Sequence, residues 1–275
     1  MLIRLGYDIS FDIPTEVPIV ALLNLYPSRR PDLIEPDVLK LEPAVPIESY
    51  TDTFGNQCSR FVAPPGIIRL YNSTLVQDSG EVDAGDPAAP EIPVKDLPAE
   101  VLRYLLPSRY CEVDLMTNLA ADLFGEVAPG WTRVKTVCDW VNSKVTFGYN
   151  FARPTKTALD VFTERTGVCR DFQHLAVTFC RALNIPARYV TGYLGDIGVP
   201  LSPAPMDFSA WFEAYLGGRW WTFDARFNVP RIGRVLMAVG RDAADVALTT
   251  SFGSTRLRSF TVVADEVKET SQAAS

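Results

Sequence analysis

The chain has 275 residues, 47% of them hydrophobic and 21% charged, so it can bury a sizeable core in one or two domains. Its formal net charge is −7 and its Lys and Arg residues are not clustered, which argues against a nucleic-acid partner, because phosphate binding needs a basic face. No apolar run approaches the ~20 residues that cross a bilayer, and the N-terminus does not resemble a signal peptide.

Five widely spaced cysteines, without a CxxC pair, do not suggest a metal site or a set of disulfides. They are Cys58, Cys111, Cys138, Cys169 and Cys180. Such usage is typical of a reducing compartment, so the sequence predicts a cytoplasmic protein. No metal or nucleotide motif is present, and we therefore expect no cofactor.

The N-terminal part of the chain carries strand-like runs separated by Pro, Gly and Asp. Leu2–Phe11, Val17–Tyr26 and Arg60–Tyr71 are the clearest of these runs. Short strands with regular turn signals predict an antiparallel β sandwich over residues 1–105. The Pro-rich and acidic segment Asp83–Pro98 is predicted to be an ordered linker.

Helical patterns begin after this linker. Asp114 is a candidate cap for a helix that runs through Phe124 and stops at Gly125. A second helix is predicted from Trp131 through Val141, and a third from Thr155 to Thr163. A strand-like run, residues 145–149, lies between these last two helices.

The stretch from Thr166 to Leu194 predicts a loop, a helix that opens at Cys169, and a return strand. Apolar residues recur at helical spacing up to Leu183, and Asn184 followed by Pro186 ends the helix. A cysteine in the first turn meets unpaired backbone N–H groups and the positive end of the helix dipole. Both favour the thiolate, so the placement suits a cysteine nucleophile.

A β-hairpin is predicted next, with Gly217 and Gly218 as its turn. A two-residue turn would pair Leu216 with Arg219, Trp211 with Asp224, and Ser209 with Arg226. Ser209 and Asp224 would then be diagonal neighbours on the polar face, roughly 7–8 Å apart.

The C-terminal part offers one more strand, Ser259–Val263, before a polar end. We expect residues 106–265 to form the second domain and residues 266–275 to be a disordered tail.

The segments TGVCRDFQHLAVTFCRALNIPARYVTGYL and WFEAYLGGRWWTFDAR resemble the transglutaminase-like superfamily, in its bacterial branch related to cysteine proteases. The resemblance covers residues from about 110 to 260 and includes the segments PRIGR and GRDAADVALTTSFG. It implies an α+β fold: a papain/transglutaminase-like core, with the Cys helix packed on an antiparallel sheet, preceded by an antiparallel β domain.

The resemblance also implies a Cys-His-Asp triad that forms a thioester from an amide and transfers the acyl group to an amine or to water. By position Cys169 is the nucleophile and Asp224 the orienting carboxylate, while Ser209 stands where the family has its histidine. Tyr149 is a candidate oxyanion donor, and Trp211 could line the cleft or be buried. A peptide or protein substrate is expected, with no membrane partner, and the sequence leaves the oligomeric state open.

The only histidine, His174, lies five residues after Cys169 and so roughly 140° round the helix, which favours a core role over rescue of the missing base. The resemblance also implies a histidine at Phe227, a position outside the triad. Three hypotheses remain: an impaired cysteine hydrolase or acyltransferase, an inactive relative that uses the cleft to bind a peptide or partner, and an altered version of an active parent.

Overall fold

A computed structural model describes residues 1–268. The strands, in chain order, are β1 (Leu2–Ile13), β2 (Val17–Ala21), β3 (Lys40–Glu42), β4 (Glu48–Thr51), β5 (Gln57–Ala63), β6 (Gly66–Gln77), β7 (Thr146–Phe147), β8 (Thr166–Gly167), β9 (Ala187–Leu194), β10 (Ser209–Leu216), β11 (Arg219–Phe223), β12 (Arg234–Gly240), β13 (Thr249–Ser251) and β14 (Arg256–Glu266). The α-helices are α1 (Val113–Phe124), α2 (Trp131–Lys144), α3 (Ala158–Glu164) and α4 (Cys169–Ala182).

Two four-stranded sheets supply most of the first hydrophobic core, to which β9 and β12 also contribute. The strand orders of the two sheets are β14-β1-β6-β3 and β13-β2-β5-β4, with antiparallel pairing throughout. Ile3, Leu5 and Ile9 from one sheet meet Ile19 and Phe61 from the other, all nearly inaccessible to solvent. The predicted N-terminal β domain is therefore confirmed.

The run Arg60–Tyr71, predicted as one strand, is divided between β5 and β6. Pro64 and Pro65 fall at the break, where neither can donate a backbone hydrogen bond to a ladder. The single-strand prediction is therefore wrong, and the two strands belong to different sheets.

The last two strands complete the N-terminal sheets rather than the central part of the molecule. β14 lies beside β1, from Ile3–Glu266 to Asp12–Arg256, and β13 lies beside β2. The predicted strand Ser259–Val263 falls inside β14. Of the predicted tail 266–275, Glu266 ends β14, and residues 269–275 lie outside the described residues. The division at residues 105 and 106 stays a prediction.

A third sheet has the strand order β11-β10-β9-β12, and its hairpin shares a core with α1, α2, α3 and α4. Phe172 and Phe179 of α4 pack with Phe212 and Phe223 of the hairpin in the second core. α4 is buried from Asp171 to Arg181, so it is the central helix of this layer. The predicted α+β core with the Cys helix on an antiparallel sheet is confirmed.

The helix ends differ from the prediction by a few residues. α1 begins at Val113, so Asp114 lies in its first turn and is not its cap. Thr157 caps α3 through a hydrogen bond that its side chain accepts from the Asp160 amide. β7 has two residues, pairs in parallel with β8, and is followed by the 3-10 turn Tyr149–Phe151.

No helix within residues 1–268 is long and apolar enough to cross a membrane.

Candidate active site

Cys169 is the first residue of α4, as predicted, and the helix start is held by the side chain of Asp171. The Asp171 carboxylate accepts a hydrogen bond of 2.9 Å from the Val168 amide. Gly167 lies so close that a Cβ there would sit 2.6 Å from the Asp171 Cβ, a contact that requires a residue without a side chain. The loop before α4 therefore fixes the position of the thiol.

The Cys169 thiol lies where two cavities meet. The aromatic cavity, about 200 Å³, is lined by Phe147, Tyr149, Leu194, Asp196, Ser202, Ala204, Pro205, Met206, Arg226 and Phe227. The apolar cavity, about 180 Å³, is lined by Tyr189, Thr191, Ala210, Ala243, Val246, Ala247 and Leu248. Both also include Cys169, Asp207, Phe208 and Ser209. A cleft thus extends to both sides of the sulfur.

Ser209 begins β10, opposite Gly192 of β9 in the ladder, and is 8% exposed. It lines both cavities together with Cys169. The structure therefore brings the predicted position of the missing histidine into the cleft that holds the thiol. A neutral hydroxyl there can hydrogen-bond, but it cannot take up a thiol proton at neutral pH.

Asp224 is buried and accepts hydrogen bonds from four donors. Its Oδ1 accepts from Gln173 Nε2 at 3.0 Å, from the Arg226 amide at 2.9 Å and from the Phe227 amide at 3.1 Å. Its Oδ2 accepts from the Arg234 guanidinium at 2.9 Å. Buried carboxylates persist only when they are paired and hydrogen-bonded, and this one is, without an imidazole.

The hairpin ladder is confirmed from Leu216–Arg219 to Phe212–Phe223 but ends there. β11 stops at Phe223, so the predicted pairs of Trp211 with Asp224 and Ser209 with Arg226 are wrong. The physical reason is the turn that Asp224 makes with the two amides that follow it, because a side chain that bonds its own backbone competes with the strand ladder.

Burial raises the pKa of the Cys169 thiol to about 11. The Arg226 guanidinium and a backbone hydrogen bond from Arg170 to the sulfur lower this pKa. The carboxylates of Asp207 and Asp224 raise it. Loss of hydration in the cleft thus outweighs the helix start, although the residue is only half-buried. The expectation that the helix start favours a thiolate is not met.

His174 is fully buried between the rings of Tyr110 and Tyr189, each with its centroid 5.0 Å away. Its Nε2 accepts a hydrogen bond from the Ala243 amide at 3.1 Å, and its Nδ1 has no partner among residues 1–268. Burial lowers its pKa well below the ordinary value. His174 is therefore a neutral core residue and lines neither cavity of the cleft.

The two other predicted site residues have different surroundings. Tyr149 is 51% exposed and lines the aromatic cavity, and burial of its hydroxyl raises its pKa. Trp211 is 2% exposed and packs with Val190 and Val239 in the interior, away from both cavities. The structure brings Tyr149 to the thiol and does not bring Trp211 there.

Sequence reasoning missed three groups at this site. Gln173 could have been found, because it lies four residues after Cys169 on the same face of α4. Besides Asp224, it bonds the Ala210 carbonyl and the Ala225 amide. Asp207 lies two residues before Ser209, in the loop that precedes β10, and Arg234 reaches Asp224 from β12; neither was recognised as a site residue from the sequence.

Within the part of the chain that the structure describes, no group of three or more His, Cys, Asp or Glu side chains could hold a metal ion.

The chain is similar to known proteins in both sequence and structure. A family model described as the transglutaminase-like superfamily matches residues 117–225, a range that contains Cys169, Ser209 and Asp224. An uncharacterized protein of Mycobacterium leprae is 26% identical over 215 residues, which cover 74% of this chain and 75% of that protein. The crystal structure of a "putative cysteine protease" from Cytophaga hutchinsonii is 31% identical, with a TM-score of 0.84, and covers 98% of this chain and 91% of its own. That likeness includes the N-terminal sheets.

Proposed function

The chain belongs to the transglutaminase-like superfamily, and on that premise we propose that it is a cysteine hydrolase or acyltransferase for peptide amide bonds, with Cys169 as nucleophile. Ser209 in place of the histidine makes its turnover slow. The observation that carries the proposal is the cleft in which the two cavities meet at Cys169 and Ser209.

The proposed reaction has two steps. The Cys169 sulfur, once deprotonated, attacks the amide carbonyl, the C–N bond breaks, and the leaving nitrogen takes up a proton. Water or an amine then cleaves the thioester and releases the free thiol. The backbone amide of Cys169 and the Tyr149 hydroxyl are the proposed oxyanion donors; the raised pKa of Tyr149 keeps that hydroxyl protonated.

The missing imidazole affects both proton transfers. In a Cys-His pair the imidazole takes the thiol proton and returns it to the leaving nitrogen, a contribution of about 10² to 10⁴ in rate. A thiol of pKa about 11 is almost entirely protonated at neutral pH. The proposed reaction therefore starts from the small fraction of Cys169 that is thiolate, and solvent supplies the proton for the leaving nitrogen.

An inactive relative that binds a peptide or partner in the same cleft is the second candidate. The raised pKa of Cys169 favours it, and so does the Asp224 carboxylate, which has Gln173 and Arg234 as donors. We place either function in the reducing cytoplasm, with a peptide or protein as partner, because four of the five thiols are buried and free.

One comparison separates the candidates: alkylation of Cys169 against pH, together with hydrolysis of a peptide library. Cys169 is the only cysteine that is not buried, so alkylation of the folded chain reports on it. The alkylation rate should keep rising above pH ~9, because the pKa is about 11. Ser209→His should shift this profile to lower pH and raise turnover by about 10² to 10⁴.

Two variants complete the test. Met206→His is the matched control, since it adds an imidazole to the aromatic cavity at a place where the resemblance implies no histidine. An equal gain in this control would contradict the role given to position 209. Hydrolysis by the unchanged chain that Cys169→Ala abolishes would exclude the inactive relative, whereas no reaction in any variant would exclude the enzyme.

A further inference from the structure

Arg226 presents a guanidinium in the aromatic cavity without a carboxylate partner. Its Cζ lies 3.8 Å from the ring centroid of Phe147 and 4.5 Å from that of Phe227. Within residues 1–268 no Asp or Glu oxygen comes within ion-pair distance of it, whereas Arg231 and Arg234 both have such partners. Stacked rings hold a guanidinium in one plane and leave its N–H edge for another group.

The backbone of Arg226 is also fixed. Its amide donates to Asp224 Oδ1 at 2.9 Å, and its carbonyl accepts from Asn142 Nδ2 at 2.6 Å. The cation thus has a defined position before any ligand arrives. A positioned donor loses little freedom on binding, which makes it effective in recognition.

Two carboxylates also line this cavity and affect what it can bind. The Asp196 carboxylate already has two partners: it accepts a hydrogen bond of 2.7 Å from the Ser202 amide and lies 3.8 Å from the Arg231 guanidinium. Asp207 lines both cavities; loss of hydration around its carboxyl raises its pKa overall, and the nearby Arg226 guanidinium offsets part of that rise. Asp207 is therefore the group that opposes an anion near the thiol.

We propose that Arg226 binds a carboxylate of the substrate, so that the cleft takes acidic peptides with the charged group in the aromatic cavity. The inference rests on the proposed function, namely that a peptide occupies the cleft. The apolar cavity has no charged side chain of its own beyond the shared residues and takes the uncharged part of the peptide. A guanidinium binds a carboxylate through two parallel hydrogen bonds, which a neutral amide cannot match.

Binding, rather than turnover, tests the proposal. In the Cys169→Ala protein, calorimetry measures Kd for a peptide library and for matched pairs that differ by Glu against Gln, and by a C-terminal acid against an amide. The acidic member should bind about 10-fold to 100-fold more tightly. The two kinds of pair distinguish a side-chain carboxylate from a C-terminal one.

Variants at two positions assign the effect. Arg226→Gln should remove the discrimination, and Arg226→Lys should keep part of it, since a lysine retains the charge without the planar fork. Asp207→Asn is the matched control and should tighten binding of the acidic peptides. The comparison of Glu with Gln peptides in the Cys169→Ala protein, which keeps Arg226, does not depend on whether the Arg226 variants fold.

Failure of the role given to Arg226 and failure of the proposed function give different binding results. Peptides that bind equally with and without the carboxylate would overturn the role of Arg226 and leave the proposed function intact. A folded protein that binds no peptide in the library would overturn the proposed function and this inference with it.

Discussion

His174 is held neutral by its surroundings, and its protonation therefore competes with folding. Between Tyr110 and Tyr189 the imidazole is inaccessible to solvent, and its Nε2 accepts a hydrogen bond from the Ala243 amide. Arg170 and Arg181 add to the effect of burial and lower its pKa further. The unfolded chain binds the proton at an ordinary pKa near 6.5, so the folded state loses stability as the pH falls below that value.

Replacement of His174 by Gln should remove this acid sensitivity. The free energy of unfolding of the unchanged chain should fall by about 2 kcal/mol between pH 7 and pH 5 from this residue. Glutamine keeps an acceptor for the Ala243 amide and does not titrate. The measurement is urea unfolding of both proteins at the two pH values, and the prediction fails if both lose stability equally.

The carboxyls of Asp37 and Asp171 do not produce the same change. Burial raises the pKa of Asp37 and of Asp171 in the folded state, so acid stabilises the fold through them. Their effect has the opposite sign and is common to both proteins. The difference between the His174 variant and the unchanged chain therefore isolates the imidazole.

The sequence indicated where Cys169 and Ser209 would be but not what Asp224 would do. The first two follow from local patterns, the start of an amphipathic helix and the start of a hairpin strand. The donors to Asp224 come from Gln173, 51 residues away, and from Arg234 on another strand. Such pairings depend on the tertiary fold, and no local pattern encodes them.

The start of α4 depends on Asp171 and on the glycine beside it. The Asp171 carboxylate binds the Val168 amide and pairs with Arg170 at 3.0 Å. It thus satisfies one of the N–H groups that a helix start leaves free and fixes the turn that carries Cys169.

Asp171→Ala should lower the free energy of unfolding by about 1–2 kcal/mol and speed alkylation of Cys169. The reason is fraying of the first turn, which exposes the thiol to reagent. Asp171→Asn keeps a carbonyl acceptor for the Val168 amide and should lose less. Chemical denaturation and alkylation rates check both variants; an Asn variant as damaged as the Ala variant would contradict the capping role.

The hairpin shows how far alternation alone predicts a register. Gly217 and Gly218 have φ values of 58° and 90°, as a two-residue hairpin turn requires, and the register beside them was predicted correctly. Alternation of side chains does not say where a strand stops. Here it stops because the Asp224 side chain binds the amides of Arg226 and Phe227.

At the scale of the whole molecule, the first and the last described strands pair in one sheet. We propose that the N-terminal domain consists of residues 1–105 together with β13 and β14. Val262 and Ala264 of β14 are buried in the first core with Leu5 and Ile9. A pattern in the sequence predicted the last strand, but not its partner, because strand pairing over such a separation leaves no local signal.

A chain that ends at residue 255 should fail to form a stable N-terminal domain. It lacks β14, so β1 loses one neighbour along almost its full length and the core loses two buried side chains. We expect a lower Tm and association of chains in size-exclusion chromatography. Addition of a peptide with the sequence of residues 256–266 should restore the Tm. A monomeric truncated chain with unchanged Tm would contradict this prediction.

The pairing of β1 with β14 also means that β1 must wait for its partner strand during synthesis. β1 leaves the ribosome before β14, and residues 14–255 are made between the two. At about 5–20 residues per second the interval is at least ~10 s, during which one edge of β1 has no neighbour from its own chain. Nascent chains on neighbouring ribosomes of one mRNA expose the same edge of β1. Pairing of β1 with β14 of its own chain therefore competes with pairing between β1 strands of different chains.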